Sequence, residues 1–207
     1  MSITEGRKAR VRKVLSTRLS SLVVVIEAVH RRHNVSAILR SAESFGIHEV
    51  HLITGTFRPS RGAARGAERW LELTRHAELE PCIESLKGRG FSLWVADFSP
   101  SALSPDAIPI DGPVAILFGS ELNGVSPEAR ELADGVVCIP TWGLTQSLNV
   151  SVAAACTLQR VAGRRREHLG GGDLSVERQE RFYQDWMVRE KQSRRGMAAR
   201  VGPSSNK

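Results

Sequence analysis

Short apolar runs alternate with amphipathic segments along the whole chain. Five runs have the length and composition of buried strands: 22–29, 49–54, 91–98, 114–119 and 135–140. Helical spacing of apolar residues marks 6–18, a segment from Asn34 or Ser36 to Gly46, and 76–88, 126–133, 147–165 and 175–192. Strands that alternate with helices predict an α/β fold with a mainly parallel sheet and helices on both faces.

The most notable polar residues stand in loops that follow the predicted strands. Asn34 and Arg40 come after the first strand, a glycine turn at 119–124 after the fourth, and a polar loop at 141–149 after the fifth. Open parallel sheets bind ligands beyond the carboxyl ends of their strands. The sequence therefore predicts that these three segments meet in one site.

The first segment, HRRHNVSAILRSAESFG, carries Asn34 near the start of a predicted helix and Arg40 among apolar residues. Two interpretations of Arg40 stay open. It is either a surface residue whose aliphatic stem covers apolar side chains, or a guanidinium that faces a phosphate or a reacting oxygen.

The other two segments are similarly ambiguous when each is taken alone. LFGSELNGVSPE contains Gly119 and Gly124, which permit a tight turn close to a ligand. Its Glu121 is either a turn carboxylate paired with an arginine or an acid of the site. IPTWGLTQSLNVSVAAA leads into a helix whose first N–H groups lack helical partners. Ser147 is either the N-cap of that helix or a group of the site.

Several classes of protein are disfavoured. The sequence contains no G-x-G-x-x-G, P-loop or G-x-S-x-G motif. No Cys/His group has the spacing of a metal site, so we expect no bound metal. Cys82, Cys138 and Cys156 are widely spaced, which favours buried thiols in a reducing cytoplasm. No run approaches the roughly 20 apolar residues of a membrane span, and the charged start is unlike a signal peptide, so we expect no membrane partner.

The net charge of +7 is concentrated at the two ends of the chain. Residues 1–19 contain six Lys/Arg and one Glu, and residues 160–207 contain twelve Lys/Arg and six acidic residues, which leaves the centre with a net charge of −4. Basic ends on an acidic body favour a polyanionic partner such as nucleic acid. Solvated tails that aid solubility are the alternative.

Together the three segments resemble the signature motifs of the SPOUT superfamily, specifically the SpoU/TrmH family of RNA ribose 2′-O-methyltransferases. The resemblance runs from residue 6 to about 190 and includes RGAERWLEL and FYQDWM. It implies a deep trefoil knot on the C-terminal side of the sheet, a homodimer, and S-adenosylmethionine bound in the knot. We expect a basic N-terminal helix at 1–19, the methyltransferase domain at 20–166, a C-terminal helix at 167–192 and a disordered tail at 193–207.

The resemblance also implies roles for individual residues. The catalytic set is Arg40, Asn34, Glu121, Ser147 and Asn149. The residues expected to hold the cofactor, largely through the main chain, are Ala96, Leu117, Gly119, Ser120, Gly124, Ile139 and Leu148. The residues expected to contact RNA phosphates are Arg7, Arg10, Arg18, His33, Arg164, Arg165 and Arg166.

The implied activity is methylation of a ribose 2′-hydroxyl, and the motifs are most similar to those of family members that act on the D-loop guanosine of tRNA. Methylation of ribosomal RNA within the same family is one alternative, and a non-catalytic RNA-binding protein with the same fold is another. The family assigns Arg40 to deprotonation of the hydroxyl. An arginine is a poor base, so stabilisation of the developing alkoxide, with a phosphate as proton acceptor, stays open.

Overall fold

The computed structural model describes residues 3–53, 66–145 and 147–200, with side chains described as far as residue 192. The chain divides into two compact units. The larger unit extends from Leu19 to Gly172, and the smaller one joins the residues before and after it. Division into four segments at residues 19, 166 and 192 stays a prediction.

The larger unit is built on a six-stranded sheet in which all pairings are parallel. The strands are β1 (Leu19–Glu27), β2 (Ile47–Ile53), β3 (Glu72–His76), β4 (Ser92–Ala96), β5 (Val114–Phe118) and β6 (Gly135–Val137), in the order β3-β2-β1-β5-β4-β6. The five predicted strands are present. The sixth, β3, was not predicted, because this edge strand reads ELTRH and carries no apolar run.

Six α-helices and one 3-10 helix (Ala67–Trp70) complete the described elements. The α-helices are α1 (Glu5–Ser16), α2 (Arg32–Ser44), α3 (Leu79–Gly88), α4 (Pro127–Leu132), α5 (Val150–Leu169) and α6 (Val176–Arg200). The last helix continues past its predicted end at 192. Residues 193–200, predicted to be disordered, are therefore helical, and residues 201–207 lie outside the described part of the chain.

Helices cover both faces of the sheet, as predicted. Val24 and Ile26 of β1 belong to a core shared with α2 and α5, whereas Val23 and Val25 belong to a core shared with α3 and α4. Alternate residues of a strand point to opposite faces, which is why a run buried on both faces shows no polar alternation. Each fully buried Val, Leu or Ile contributes about 1.5–3 kcal/mol, so β1 anchors the fold.

The smaller unit pairs α1 with α6. Arg12 stacks on Tyr183, with 3.8 Å from its guanidinium carbon to the ring centroid, and Arg7 bonds Glu190 at 3.2 Å. Arg18 is completely buried, with its guanidinium 5.3 Å from the Trp186 ring centroid. The prediction that Arg18 contacts RNA is therefore wrong, because a fully buried guanidinium cannot reach a phosphate. Among the described helices, none combines the length and apolar composition needed to cross a membrane.

Candidate active site

A cavity of about 510 Å³ opens at the carboxyl ends of β4, β5 and β6. Three segments line it: residues 96–98 after β4, residues 118–124 after β5, and the stretch from the end of β6 into α5. This is the edge at which open parallel sheets bind ligands, and all three predicted segments reach the cavity, the first of them through Arg31.

The turn after β5 brings two segments of main chain unusually close together. Ser120 N–H donates to the carbonyl of Gly124 at 2.8 Å, and Gly124 N–H donates back to the carbonyl of Ser120 at 3.0 Å. A Cβ on Gly119 would lie 2.3 Å from the Gly124 oxygen, and Gly124 has φ +68°. Both positions therefore require glycine, and both line the wall of the cavity.

A carboxylate at the end of β1 holds the far side of this turn. Glu27 Oε2 accepts the main-chain N–H of Ser126 at 3.0 Å, and the Ser126 hydroxyl caps α4 by accepting from Ala129 N–H at 3.0 Å. Satisfying these N-terminal donors fixes where α4 begins and thereby where the glycine turn ends.

Asn34, Glu121 and Asn149 form a hydrogen-bonded chain that joins all three predicted segments. Asn34 Nδ2 donates to Glu121 Oε1 at 2.7 Å, and Asn149 Nδ2 donates to Asn34 Oδ1 at 3.3 Å. Glu121 also accepts main-chain N–H groups from His30 at 3.2 Å and Arg31 at 3.3 Å. Asn34 is 1% exposed, so its amide is fixed by these two partners. We call these three residues the Asn–Glu–Asn network.

The network keeps Glu121 ionised. Burial by itself raises the pKa of Glu121, but the hydrogen bonds from Asn34 and from the main chain of His30 and Arg31 outweigh it and lower the pKa below its usual value. Glu121 therefore acts as an acceptor that organises the start of α2, and it is not a proton donor at neutral pH.

Asn149, and not Ser147, is the N-cap of α5. Its side-chain oxygen accepts from Ser151 N–H at 2.9 Å and from the Ser151 hydroxyl at 2.6 Å. Asn149 thus caps the helix with its oxygen while its nitrogen reaches Asn34. Ser147 lies before the cap and lines the cavity.

Most of the residues predicted to hold a cofactor surround the cavity. Those that line it are Ala96, Gly119, Ser120, Gly124, Ile139 and Leu148. Leu117 does not line it, since its side chain is fully buried in the core shared with α3 and α4. Leu117 lies on the opposite face of β5 from Phe118, which lines the cavity, so a contact between Leu117 and the cofactor through the main chain stays a prediction.

Arg40 lies outside the cavity of its own chain. It is exposed on α2, six residues after Asn34, which places it about 9 Å further along the helix axis. The structure therefore brings together Asn34, Glu121, Ser147 and Asn149, and leaves Arg40 on the adjoining surface.

The arginines predicted to bind RNA at the end of α5 instead hold main-chain carbonyls. Arg164 donates to the carbonyls of Pro105 and Ile108 at 3.0 and 2.9 Å, and Arg166 donates to that of Phe45 at 2.9 Å. These bonds direct both guanidinium groups toward the protein.

Arg165 is buried and bonded within the protein. Its Nε donates to the Ser21 hydroxyl at 2.9 Å, its Nη1 bonds the Ile110 carbonyl, and only 5% of the residue is exposed. The prediction that Arg165 contacts phosphate is wrong for this reason. Arg10 and His33 are exposed, as such contacts require.

Two charged residues that line the cavity, Arg31 and Asp97, were not predicted from the sequence. Arg31 lines the cavity and its main-chain N–H donates to Glu121, and Asp97 also lines the cavity and pairs with Arg130. The doubled arginine in HRRHN and the acid directly after a buried strand were the available signals.

Comparison with known proteins agrees with this architecture. The model of the SpoU rRNA Methylase family matches residues 21–159. The chain belongs to this family. A tRNA (guanosine(18)-2′-O)-methyltransferase from Thermus thermophilus is 39% identical over 189 residues, which cover 89% of this chain and 97% of that one. The enzyme of the same name from Escherichia coli is 39% identical over 166 residues, or 79% and 72% of the two chains.

Solved structures of the SpoU family share the fold. The crystal structure of the A. aeolicus TrmH/SpoU tRNA modifying enzyme superposes with a TM-score of 0.81 at 30% identity, covering 90% of this chain and 97% of that chain. The resemblance of the three motifs to this family is thereby confirmed.

Proposed function

We propose that this chain transfers a methyl group from S-adenosylmethionine to the ribose 2′-hydroxyl of guanosine 18 in the D loop of tRNA. The observation that carries the proposal is the Asn–Glu–Asn network, which ties the three family motifs together beside a cavity with a glycine turn. The names of the 39%-identical relatives supply the substrate.

The cavity suits an uncharged base and a ribose held by the main chain. Gly119 and Gly124, which carry no side chain, line it together with the apolar Phe118 and Leu148, and such a ligand needs no cation for binding. We assign cofactor binding to Ala96, Gly119, Ser120, Gly124, Ile139 and Leu148. When bound, S-adenosylmethionine supplies an electrophilic methyl group on a sulfonium centre.

The protein's own contribution is position and electrostatics. Asn34 is held by Glu121, and Asn149 is held by Asn34 and by its role as the cap of α5, so Asn149 is a fixed polar group at the edge of the cavity. Ser147 lines the same edge. These groups do not have to move when a nucleotide binds there. Because the methyl donor is already activated, such fixed positioning and electrostatics are the main source of rate enhancement.

We assign Arg40 to the developing charge on the ribose oxygen. A guanidinium stays protonated at neutral pH, so Arg40 cannot accept the hydroxyl proton. It stabilises the emerging alkoxide, and a phosphate of the RNA takes the proton. Replacing Arg40 by alanine should lower the single-turnover rate while cofactor affinity is kept. The exposed Arg160, which pairs with Asp106 at 2.9 Å, gives a matched control.

Three finer features complete the proposal. We propose that residues after β6 are threaded as a trefoil knot around the cavity, and that the chain works as a homodimer in the cytoplasm, where its substrate is found. Trp142 and Leu144 support the dimer, because they are 93% and 105% exposed in one chain. Analytical ultracentrifugation should give twice the chain mass of 22.7 kDa, and a monomer would contradict this part.

The test is incorporation of labelled methyl groups into three RNAs. An unmodified tRNA transcript should be methylated. The same transcript with 2′-deoxyguanosine at position 18 should not, because the acceptor oxygen is missing. A ribosomal RNA fragment tests the alternative substrate, which the name of the SpoU rRNA Methylase family suggests. Equal methylation of the first two RNAs, or preference for the third, would overturn the proposed substrate.

A further inference from the structure

Two histidines and a cysteine meet beside β2 and β3, at the edge of the sheet remote from β4 and β6. His51 of β2, His76 of β3 and Cys82 of α3 have ligand atoms that all lie within 4.8 Å of one another. Their spacing in the sequence gave no metal signal, since the three residues come from three separate elements.

The register of the sheet explains why they converge. His51 pairs with Thr74 across parallel strands, and His76 is two residues further along β3, so both imidazoles point to the same face. The helix that packs on this face is α3, and its Cys82 belongs to the same core cluster as Ile53 of β2. His51 and Cys82 are buried, whereas His76 is half-exposed.

A fixed carboxylate orients the first histidine. Arg89 binds both oxygens of Glu49 at 2.6 and 2.9 Å, and His51 Nε2 lies 2.8 Å from Glu49 Oε1. A carboxylate that is paired with a guanidinium can only accept hydrogen bonds. His51 therefore donates to Glu49 and carries its proton on Nε2. The lone pair on Nδ1 then faces His76 Nε2, 2.7 Å away. This is the carboxylate–histidine arrangement that orients imidazole ligands in metal sites.

We propose that His51 Nδ1, His76 Nε2 and Cys82 Sγ bind one Zn²⁺ ion, with Glu49 positioning His51. Two imidazole nitrogens and a thiolate form a ligand set typical of zinc, and the half-exposed His76 gives an entry route and room for a water as the fourth ligand. The zinc would join β2, β3 and α3.

Metal binding requires a small and definable movement. Two nitrogens on a tetrahedral zinc lie about 3.3 Å apart, and a nitrogen and a sulfur lie about 3.6 Å apart. The imidazoles must therefore separate by roughly 0.6 Å while Cys82 approaches. His76 moves its proton to Nδ1, and the Cys82 thiol releases its proton to solvent as the S–Zn bond forms.

The experiment uses the full chain, stripped with a chelator and titrated with Zn²⁺ and, separately, Co²⁺. We expect one Zn²⁺ per chain by elemental analysis, and a tetrahedral Co²⁺ spectrum with thiolate charge-transfer absorption. Cys82→Ser should abolish the charge-transfer band, while Cys156→Ser, at an exposed cysteine of α5, should leave it unchanged. Glu49→Gln should weaken zinc affinity about 10–100-fold through His51.

His76→Gln is a second variant that should still fold, because the half-exposed position tolerates the change. It removes one zinc ligand. It should lower zinc affinity as Cys82→Ser does, with an unaltered far-UV circular dichroism spectrum. Substoichiometric zinc in the unsubstituted chain, or the same affinity in His76→Gln and Cys82→Ser as in Cys156→Ser, would overturn the proposal. Methyl transfer is not the readout, so failure here and failure of the proposed function are separate results.

Discussion

The substitution Asn34→Asp tests the Asn–Glu–Asn network with almost no change in shape. Asp keeps an acceptor for Asn149 but replaces the amide nitrogen that donates to Glu121 at 2.7 Å. Two carboxylates at that distance cannot both be ionised, so the variant must either share a proton or push Glu121 toward solvent.

The size of the effect follows from the lost bond. A hydrogen bond to a charged acceptor contributes about 1.5–3 kcal/mol. For a chain of this size each kcal/mol changes the melting temperature by about 2–4 °C, so the variant should melt about 3–12 °C lower near pH 8. Repulsion between the two carboxylates adds to this loss only if Glu121 cannot turn away from Asp at position 34.

The deficit should also depend on pH in a known direction. In the folded variant the carboxyl pair has one raised pKa, so the shared proton stabilises the fold at low pH and is lost as the pH rises through that value. The deficit relative to the unsubstituted chain should therefore be smaller near pH 5 than near pH 8. Asn34→Ala removes both bonds without adding a carboxyl group, and its deficit should be constant over this range.

Thermal melts of the three proteins at both pH values, followed by circular dichroism, make the comparison. A deficit for Asn34→Asp that does not change with pH, or no deficit at all, would refute the claim that Asn34 donates to an ionised Glu121.

Three further predictions concern the turn, the buried arginine and the distant carboxylate. Gly119→Ala should weaken S-adenosylmethionine binding at least about tenfold by calorimetry because its Cβ meets main chain at 2.3 Å, while Gly88→Ala, with open space around it, should bind normally. Arg165→Ala should lower the free energy of unfolding by about 2–4 kcal/mol in urea titrations, against less than about 1 for the exposed Arg160→Ala, and equal losses would contradict a structural role. Burial raises the pKa of Glu49, but hydrogen bonds from Arg89 and His51 outweigh it and lower the pKa to about 2. With a chelator present, the unsubstituted chain should therefore lose up to about 3 kcal/mol more stability than Glu49→Gln as the pH falls from about 4.5 toward 2, and equal losses in urea titrations would show that this pairing is absent.

The fold was largely predictable from the sequence because its strands are buried on both faces. An apolar run such as that of β1 stays recognisable whatever packs against it. The edge strand β3 lacks this property, since its side chains are partly exposed and its pairing with β2 depends on residues distant in the sequence.

The sequence predicted which segments form the site, but it did not predict the contacts between their side chains. Motif resemblance identified Asn34, Glu121 and Asn149, but only the folded chain shows that one hydrogen-bonded chain joins them. Composition also does not reveal whether a cationic side chain is buried. For this reason Arg18 and Arg165 were assigned to RNA although both are buried. His51, His76 and Cys82 come from three different elements, and only tertiary packing brings them together.

The cavity and the Asn–Glu–Asn network are proposed to serve methylation of one ribose in tRNA. Mass-spectrometric mapping of an unmodified tRNA after incubation with the full chain and S-adenosylmethionine tests it most directly. We expect a single 2′-O-methylguanosine at position 18. A methyl group on a base or at another ribose, or no methylated product from a protein that binds the cofactor, would contradict it.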